Sequence, residues 1–158
     1  MNYLALIQII AFYGYVLYVW NKIGIQKSIS ESWYTLPIDN RNYFVFFAAG
    51  SGLPLWAYGM YQYSGLVQML FVLSGLFMFC ISVASTFKAS TLNATIHNAC
   101  TALAISFAFG AIYLQYHDIR HLVAAVVGSL LLLAVKNRVW WIEIWVFTTI
   151  ITRLILIE

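Results

Sequence analysis

LNATIHNACTALAISFAFGAIYL, residues 92–114, is the stretch that decides the fold. It holds no Asp, Glu, Lys or Arg, and at roughly 1.5 Å per helical residue it can cross a hydrocarbon core of about 30 Å. One ionisable side chain, His97, stands about two turns inside it. Such a group is costly to hold within a membrane segment, so it marks a candidate functional site.

The rest of the chain has the same character. Of its 158 residues, 63% are hydrophobic, 18% aromatic and 8% charged, whereas ordinary soluble domains are about 25% charged. The expected class is an all-α polytopic membrane protein whose first partner is membrane lipid. The net charge of +3 comes from 8 basic and 5 acidic residues, too few for the basic stripe that nucleic-acid binding requires. Nucleic acid is therefore excluded as a partner.

Further apolar runs flank the deciding stretch at 3–20, 43–61, 65–87, 121–135 and 139–157. Together they predict a single domain, 1–158, built as a bundle of six transmembrane helices. The run 121–135 is short and reaches spanning length only if Asn137 or residues 117–121 are included. Barrel strands would be shorter and would alternate apolar with polar residues, which these runs do not. The first run lacks the basic start and small-residue cleavage site of a secretory signal, so it is expected to stay as a helix. The longest connection, 21–42, holds most of the chemistry outside the membrane.

Basic residues suggest an orientation. Lys22, Lys27, Arg41, Lys88, Lys136 and Arg138 fall in the first, third and fifth connections, and Arg120 and Arg153 fall on the other side. The positive-inside rule then puts these odd-numbered connections in the cytoplasm and both termini outside.

If Phe87 and Leu92 bracket the turn between the third and fourth helices, Ser82 and His97 lie at equal depth, roughly 7 Å into the membrane. Ser82, Ser85 and Thr86 share one helical face, as do Asn93, His97 and Thr101. Polar faces of adjacent helices turn towards each other or a cavity, because unsatisfied polar groups in hydrocarbon are costly. Glu143 enters the sixth run at a comparable depth and can pair with His97, letting the two share or neutralise charge. Two readings stay open. The residues either form interhelical hydrogen-bonding glue or line a ligand-binding pocket built from Glu31, Ser82, Ser85, Asn93, His97 and Glu143. Glu143 can equally bridge to Arg138 or Lys136.

Other features carry less. His117 and His121 have the spacing that puts two imidazoles on one helical face, as metal ligands can be presented. A third ligand is missing, because His97 lies about 30 Å away along a continuous helix. Cys80 and Cys100 sit at similar depths on adjacent helices and read as small packing residues. Gly50, Ser51, Gly52 and Pro54 predict a kink or locally opened backbone in the second helix. Tyr15, Tyr18, Trp20, Trp140 and Trp141 read as an interfacial aromatic belt.

The run Ser28-Ile29-Ser30-Glu31-Ser32 followed by Leu36-Pro37, together with Phe87 and the stretch LNATIHNACTALA from Leu92 to Ala104, resembles a bacterial membrane family of unknown function. That family carries an Ile-Ser-Glu first loop and a histidine in its fourth helix, and it is distantly similar to DRAM-type proteins. The resemblance covers the whole six-helix chain and implies a bacterial inner membrane, with Ser30, Glu31 and His97 at the motif positions. This chain departs from the pattern at Ser32-Trp33, where the family often has Leu-Gly. The family's first loop is usually drawn outside the cell, against the charge bias above, and no reaction is established for it.

The preferred functional expectation is a membrane-embedded polar pocket for a lipid headgroup or small polar solute, with Glu31 capping it from the loop. A proton-linked transporter or channel relaying through His97 and Glu143 is the first alternative. A membrane hydrolase with His97 as general base and a non-catalytic assembly subunit are the others. An oligomer or a larger membrane complex is compatible with all of these.

Overall fold

The computed structural model describes residues 3–83 and 90–156, and within them the fold is all-helical. The sequence-predicted positions Ser85, Thr86, Phe87 and Lys88 lie outside the described residues. In chain order the helices are α1 Tyr3–Ile23, a short α2 Ser32–Thr35, α3 Asn42–Gln62, α4 Gly65–Val83, α5 Thr91–Tyr116, α6 Arg120–Leu132 and α7 Arg138–Ile155, with a 3₁₀ turn at Ile38–Asn40. Each long apolar run has become a helix.

Local chemistry sets the ends. Gly24 closes α1 in the left-handed region, φ +78°, and its N–H donates to the Trp20 carbonyl, as a glycine helix stop does. Ser90 caps α5 by accepting the Asn93 N–H at 3.1 Å. His117 ends that helix with φ 49°, and its N–H donates to the Tyr113 carbonyl at 2.8 Å.

Three helices, Tyr3–Ile23, Gly65–Ser82 and Thr91–Tyr116, are long and apolar enough to cross a membrane. The others from the predicted six fall short for identifiable reasons. In α3, glycine, proline, tyrosine and glutamine dilute the apolar residues; α7 carries Arg138, Glu143 and Arg153; α6 is only 13 residues long. The outside of the bundle is nevertheless apolar, with Ile10 62%, Phe46 70% and Leu131 73% exposed. So large an apolar surface is foreign to a water-soluble monomer and suits a membrane protein.

The helices close a ring. Helix α1 packs along α3, α3 along α4 and α4 along α5, while α7 touches both α5 and α1 and carries α6. Close approach of α3 and α4 rests on glycine. A Cβ on Gly52 would lie 2.8 Å from the Gly75 carbonyl oxygen, and one on Gly59 would lie 2.8 Å from that of Gln68. Small residues of this kind let membrane helices gain dispersion contact where no hydrophobic effect separates protein from solvent. Gly50 meets Ala11 of α1 in the same way. Helix α3 runs through Pro54 from Asn42 to Gln62.

Polar links also cross the middle of the ring. Gln8 donates through Nε2 to the Ser51 carbonyl at 3.3 Å, and Ser74 donates to the Ala104 carbonyl at 2.7 Å. At one end the core is aromatic: Phe12 stacks on Phe147 at 4.9 Å and Tyr15 on Phe47 at 5.0 Å. Tyr15 and Trp140 are thus core residues, 5% and 0% exposed, and not part of an interfacial belt.

Candidate functional site

The first connection lies only partly on the surface. After α1 it folds back into the end of the bundle, burying Ile29, Ser32 and Leu36. Ile29 and Leu36 supply the apolar anchors, and backbone polar groups carried in with them need partners. Partners for the loop's backbone and serine hydroxyls come from three long helices and from the loop itself. Ser32 donates to the Ile29 carbonyl at 2.5 Å, which uses its one hydroxyl hydrogen. Tyr15 of α1, 2.6 Å away, therefore donates to Ser32 Oγ. The Trp140 N–H of α7 donates to the Lys27 carbonyl at 3.1 Å, and Asn137 Nδ2 donates to the Ile25 carbonyl at 3.4 Å. Thr35 donates to Gln26 Oε1 at 3.0 Å, while Gln26 Nε2 donates to the carbonyls of Ile23 and Gly24.

His97 and Glu143 complete this cap. His97 is 3% exposed, and its Nε2 lies 2.8 Å from Ser30 Oγ. Glu143, half-buried on α7, accepts the N–H of Ile29 through Oε2 at 2.5 Å. Two side chains from different helices thus hold consecutive residues of one loop. The direct His97–Glu143 pair expected from depth matching is absent among the described residues, as is a bridge from Glu143 to Arg138 or Lys136. A backbone amide has taken the carboxylate oxygen instead.

The other predicted residues are placed as follows. Glu31 follows Ser30 in the cap, half-buried, with its own N–H donated to Ser28 Oγ at 3.0 Å. Asn93 sits one turn before His97, half-buried, and Thr101 one turn after it donates to the His97 carbonyl at 2.9 Å. Ser82, near the end of α4, donates to the Phe79 carbonyl of its own helix at 2.6 Å, and Ser85 lies outside the described residues. Cys80 and Cys100 are free thiols in contact with each other across α4 and α5.

His117 and His121 do not share a helical face. The left-handed residue His117 ends α5 before α6 begins at Arg120, so the chain turns between them. Among the described residues no group of three His, Cys, Asp or Glu side chains could hold a metal ion. This opposite end has an arrangement of its own. Arg120 binds Asp118 through two nitrogens at 2.9 Å, which holds the Asp118 carboxyl well below the usual carboxylate range. Tyr63 and Tyr116 share a hydrogen bond of 2.8 Å, and the Arg153 guanidinium lies over the Tyr116 ring, 4.1 Å from its centre. Burial first, then the bond to Tyr116, holds the Tyr63 phenol above its ordinary value.

Sequence reasoning missed Tyr15, Ile29 and Ser32 as parts of the site. The available signal was the series of large apolar residues in this connection, Ile25, Ile29, Trp33 and Leu36 among them, which a fully solvated loop would not carry. Chemically, the cap presents an imidazole, a carboxylate and a hydroxyl within a buried setting, a set suited to gripping polar groups. Searches against protein-family models, curated proteins and solved structures find no match to this chain.

Proposed function

We propose that this chain is a six-helix integral membrane protein of a bacterial inner membrane, in which His97 and Glu143 form a polar pocket for a lipid headgroup or small polar solute beneath a loop cap. The observation that carries this reading is the use of two membrane-segment side chains on adjacent cap residues, Ser30 and Ile29. A purely structural cap could be held by main-chain bonds such as Trp140 to Lys27. A ligand offering a hydroxyl and an N–H or ammonium donor would replace the two cap bonds one for one, so the pocket can exchange loop for ligand without orphaning buried polar groups. In this reading Glu31, beside Ser30, meets such a headgroup when the cap lifts. Ser30 and His97 are also the motif positions on which the resemblance to the DRAM-like bacterial family rests, and membership of that family is part of this proposal.

The test is mass spectrometry of lipids and small molecules that co-purify with the folded protein. Wild type is expected to carry a polar adduct that His97→Ala and Glu143→Gln both lose while their melting temperatures stay measurable. The same adduct in all three proteins would refute the pocket. Proton flux in proteoliposomes, abolished by Glu143→Gln, would replace it with the transport reading.

One distance favours a second reading. A serine hydroxyl 2.8 Å from an imidazole nitrogen is the spacing of a base-assisted nucleophile. As a membrane hydrolase the protein would be labelled by a fluorophosphonate at Ser30, and Ser30→Ala or His97→Ala would each abolish the label. An unlabelled wild type would exclude this reading.

A further inference from the structure

At the end of the bundle opposite the cap, Arg153 is a half-buried cation with open bonding capacity. Its Nε is buried and makes no hydrogen bond, and among the described residues no carboxylate pairs with it. The nearby Asp118 is already engaged by Arg120 in a two-nitrogen contact at 2.9 Å. Its guanidinium is laid on the Tyr116 ring, 4.1 Å from the centroid. Tyr63 and Tyr116 place two hydroxyls 2.8 Å apart beside it, and the raised Tyr63 phenol stays a neutral donor.

An apolar groove of about 650 Å³ runs between α5, α6 and α7, lined among others by Phe109, Tyr113, Leu122, Val126 and Val146. Arg153 stands seven residues beyond Val146 on α7 and shares its helical face. Tyr113 lines the groove one turn before Tyr116, on which Arg153 rests. Leu122 lines it beside His121, whose Nε2 is 3.9 Å from Asp118. The apolar groove thus lies within one to two helical turns of the cationic, hydroxyl-bearing end.

We propose that this end is a phospholipid site, in which Arg153 with the Tyr63 and Tyr116 hydroxyls binds the lipid phosphate and the groove between α5, α6 and α7 holds an acyl chain. Charge complementarity selects the head: guanidinium binds phosphate through charge-assisted hydrogen bonds. Groove chemistry selects a lipid over a free anion, because the lining is almost wholly apolar. This site is separate from the His97 pocket and does not depend on it.

Native mass spectrometry of the full chain released from detergent decides the matter, with dioleoyl phosphatidylglycerol and dioleoylglycerol as chain-matched probes. The phosphate-bearing lipid should bind wild type at least about tenfold more tightly. Arg153→Gln should reduce it to the level of dioleoylglycerol, and Arg153→Lys should keep most of the preference. Ser106→Trp, at an exposed groove-lining position, should weaken both lipids. Equal binding of the two lipids by wild type, or an unchanged preference in Arg153→Gln, overturns the proposal. If Arg153→Gln fails to fold, the wild-type preference and Ser106→Trp still decide it: Ser106→Trp without effect on either lipid also overturns the site.

Discussion

Alanine at Gly75 tests how closely α3 and α4 approach. A Cβ there would sit 2.7 Å from the Gly52 carbonyl oxygen, Trp56 Cβ and Trp56 N, whereas ordinary contact begins at 3.4 Å. Two of those three atoms are backbone, so no side-chain rotation relieves the clash. The helices must part by roughly 0.7 Å, the difference between the two distances, and a gap of about 0.5–1 Å forfeits a quarter to a half of each dispersion well along the seam. Overpacking of this kind costs about 1–3 kcal/mol. Alanine returns up to about 1 kcal/mol through its better helix propensity. Three contacts at 2.7 Å put the clash in the upper part of the overpacking range, about 2–3 kcal/mol, so Gly75→Ala should destabilise by about 1–2 kcal/mol, read by reversible unfolding in mixed micelles. Gly52→Ala should cost a similar amount. The double variant should cost less than the sum, because one separation relieves both clashes. A Gly75→Ala protein as stable as wild type, or more stable, would mean that propensity outweighs contact and that α3 and α4 do not meet backbone to backbone.

Two further outcomes follow from the ends of the bundle. A double-mutant cycle of Ser30→Ala and His97→Ala should give a coupling of about 0.5–1.5 kcal/mol, the net worth of a buried hydrogen bond; strictly additive variants would deny the contact. Asp118 has a lowered folded-state pKa, so its bond to Arg120 contributes fully above the ordinary aspartate value near pH ~3.9 and is lost only as pH falls through the lower folded value. A carboxyl NMR titration should show no Asp118 transition on acidification to about pH 3, and a midpoint near ~3.9 would refute the two-nitrogen clasp.

Much of this architecture could be read from the chain because continuous apolar runs report helices directly. Tyr3–Ile23 and Arg138–Ile155 both match their runs to within about three residues. What failed did so at backbone features. His117 and His121 looked like one face until the left-handed conformation of His117 ended α5 between them. Gly50, Gly52 and Pro54 together predict a kink or opened backbone; helix continues through Pro54, and the glycines give the close packing on α1 and α4 that the sequence did not announce. The depth argument put His97 and Glu143 at the same end, and the structure brings both to the cap. It could not foresee that they would hold Ser30 and the Ile29 amide, since a backbone N–H carries no sequence signal. Of the six expected spans, length and composition support three, in α1, α4 and α5.

The most direct measurement is hydrogen–deuterium exchange across residues 25–36 in wild type, His97→Ala and Glu143→Ala. Two helices gripping the cap predict slow exchange in wild type, including the Ile29 amide that Glu143 accepts, and a joint acceleration over the cap in either variant. Exchange as fast as an open loop in wild type, or protection unmoved by both substitutions, would contradict it.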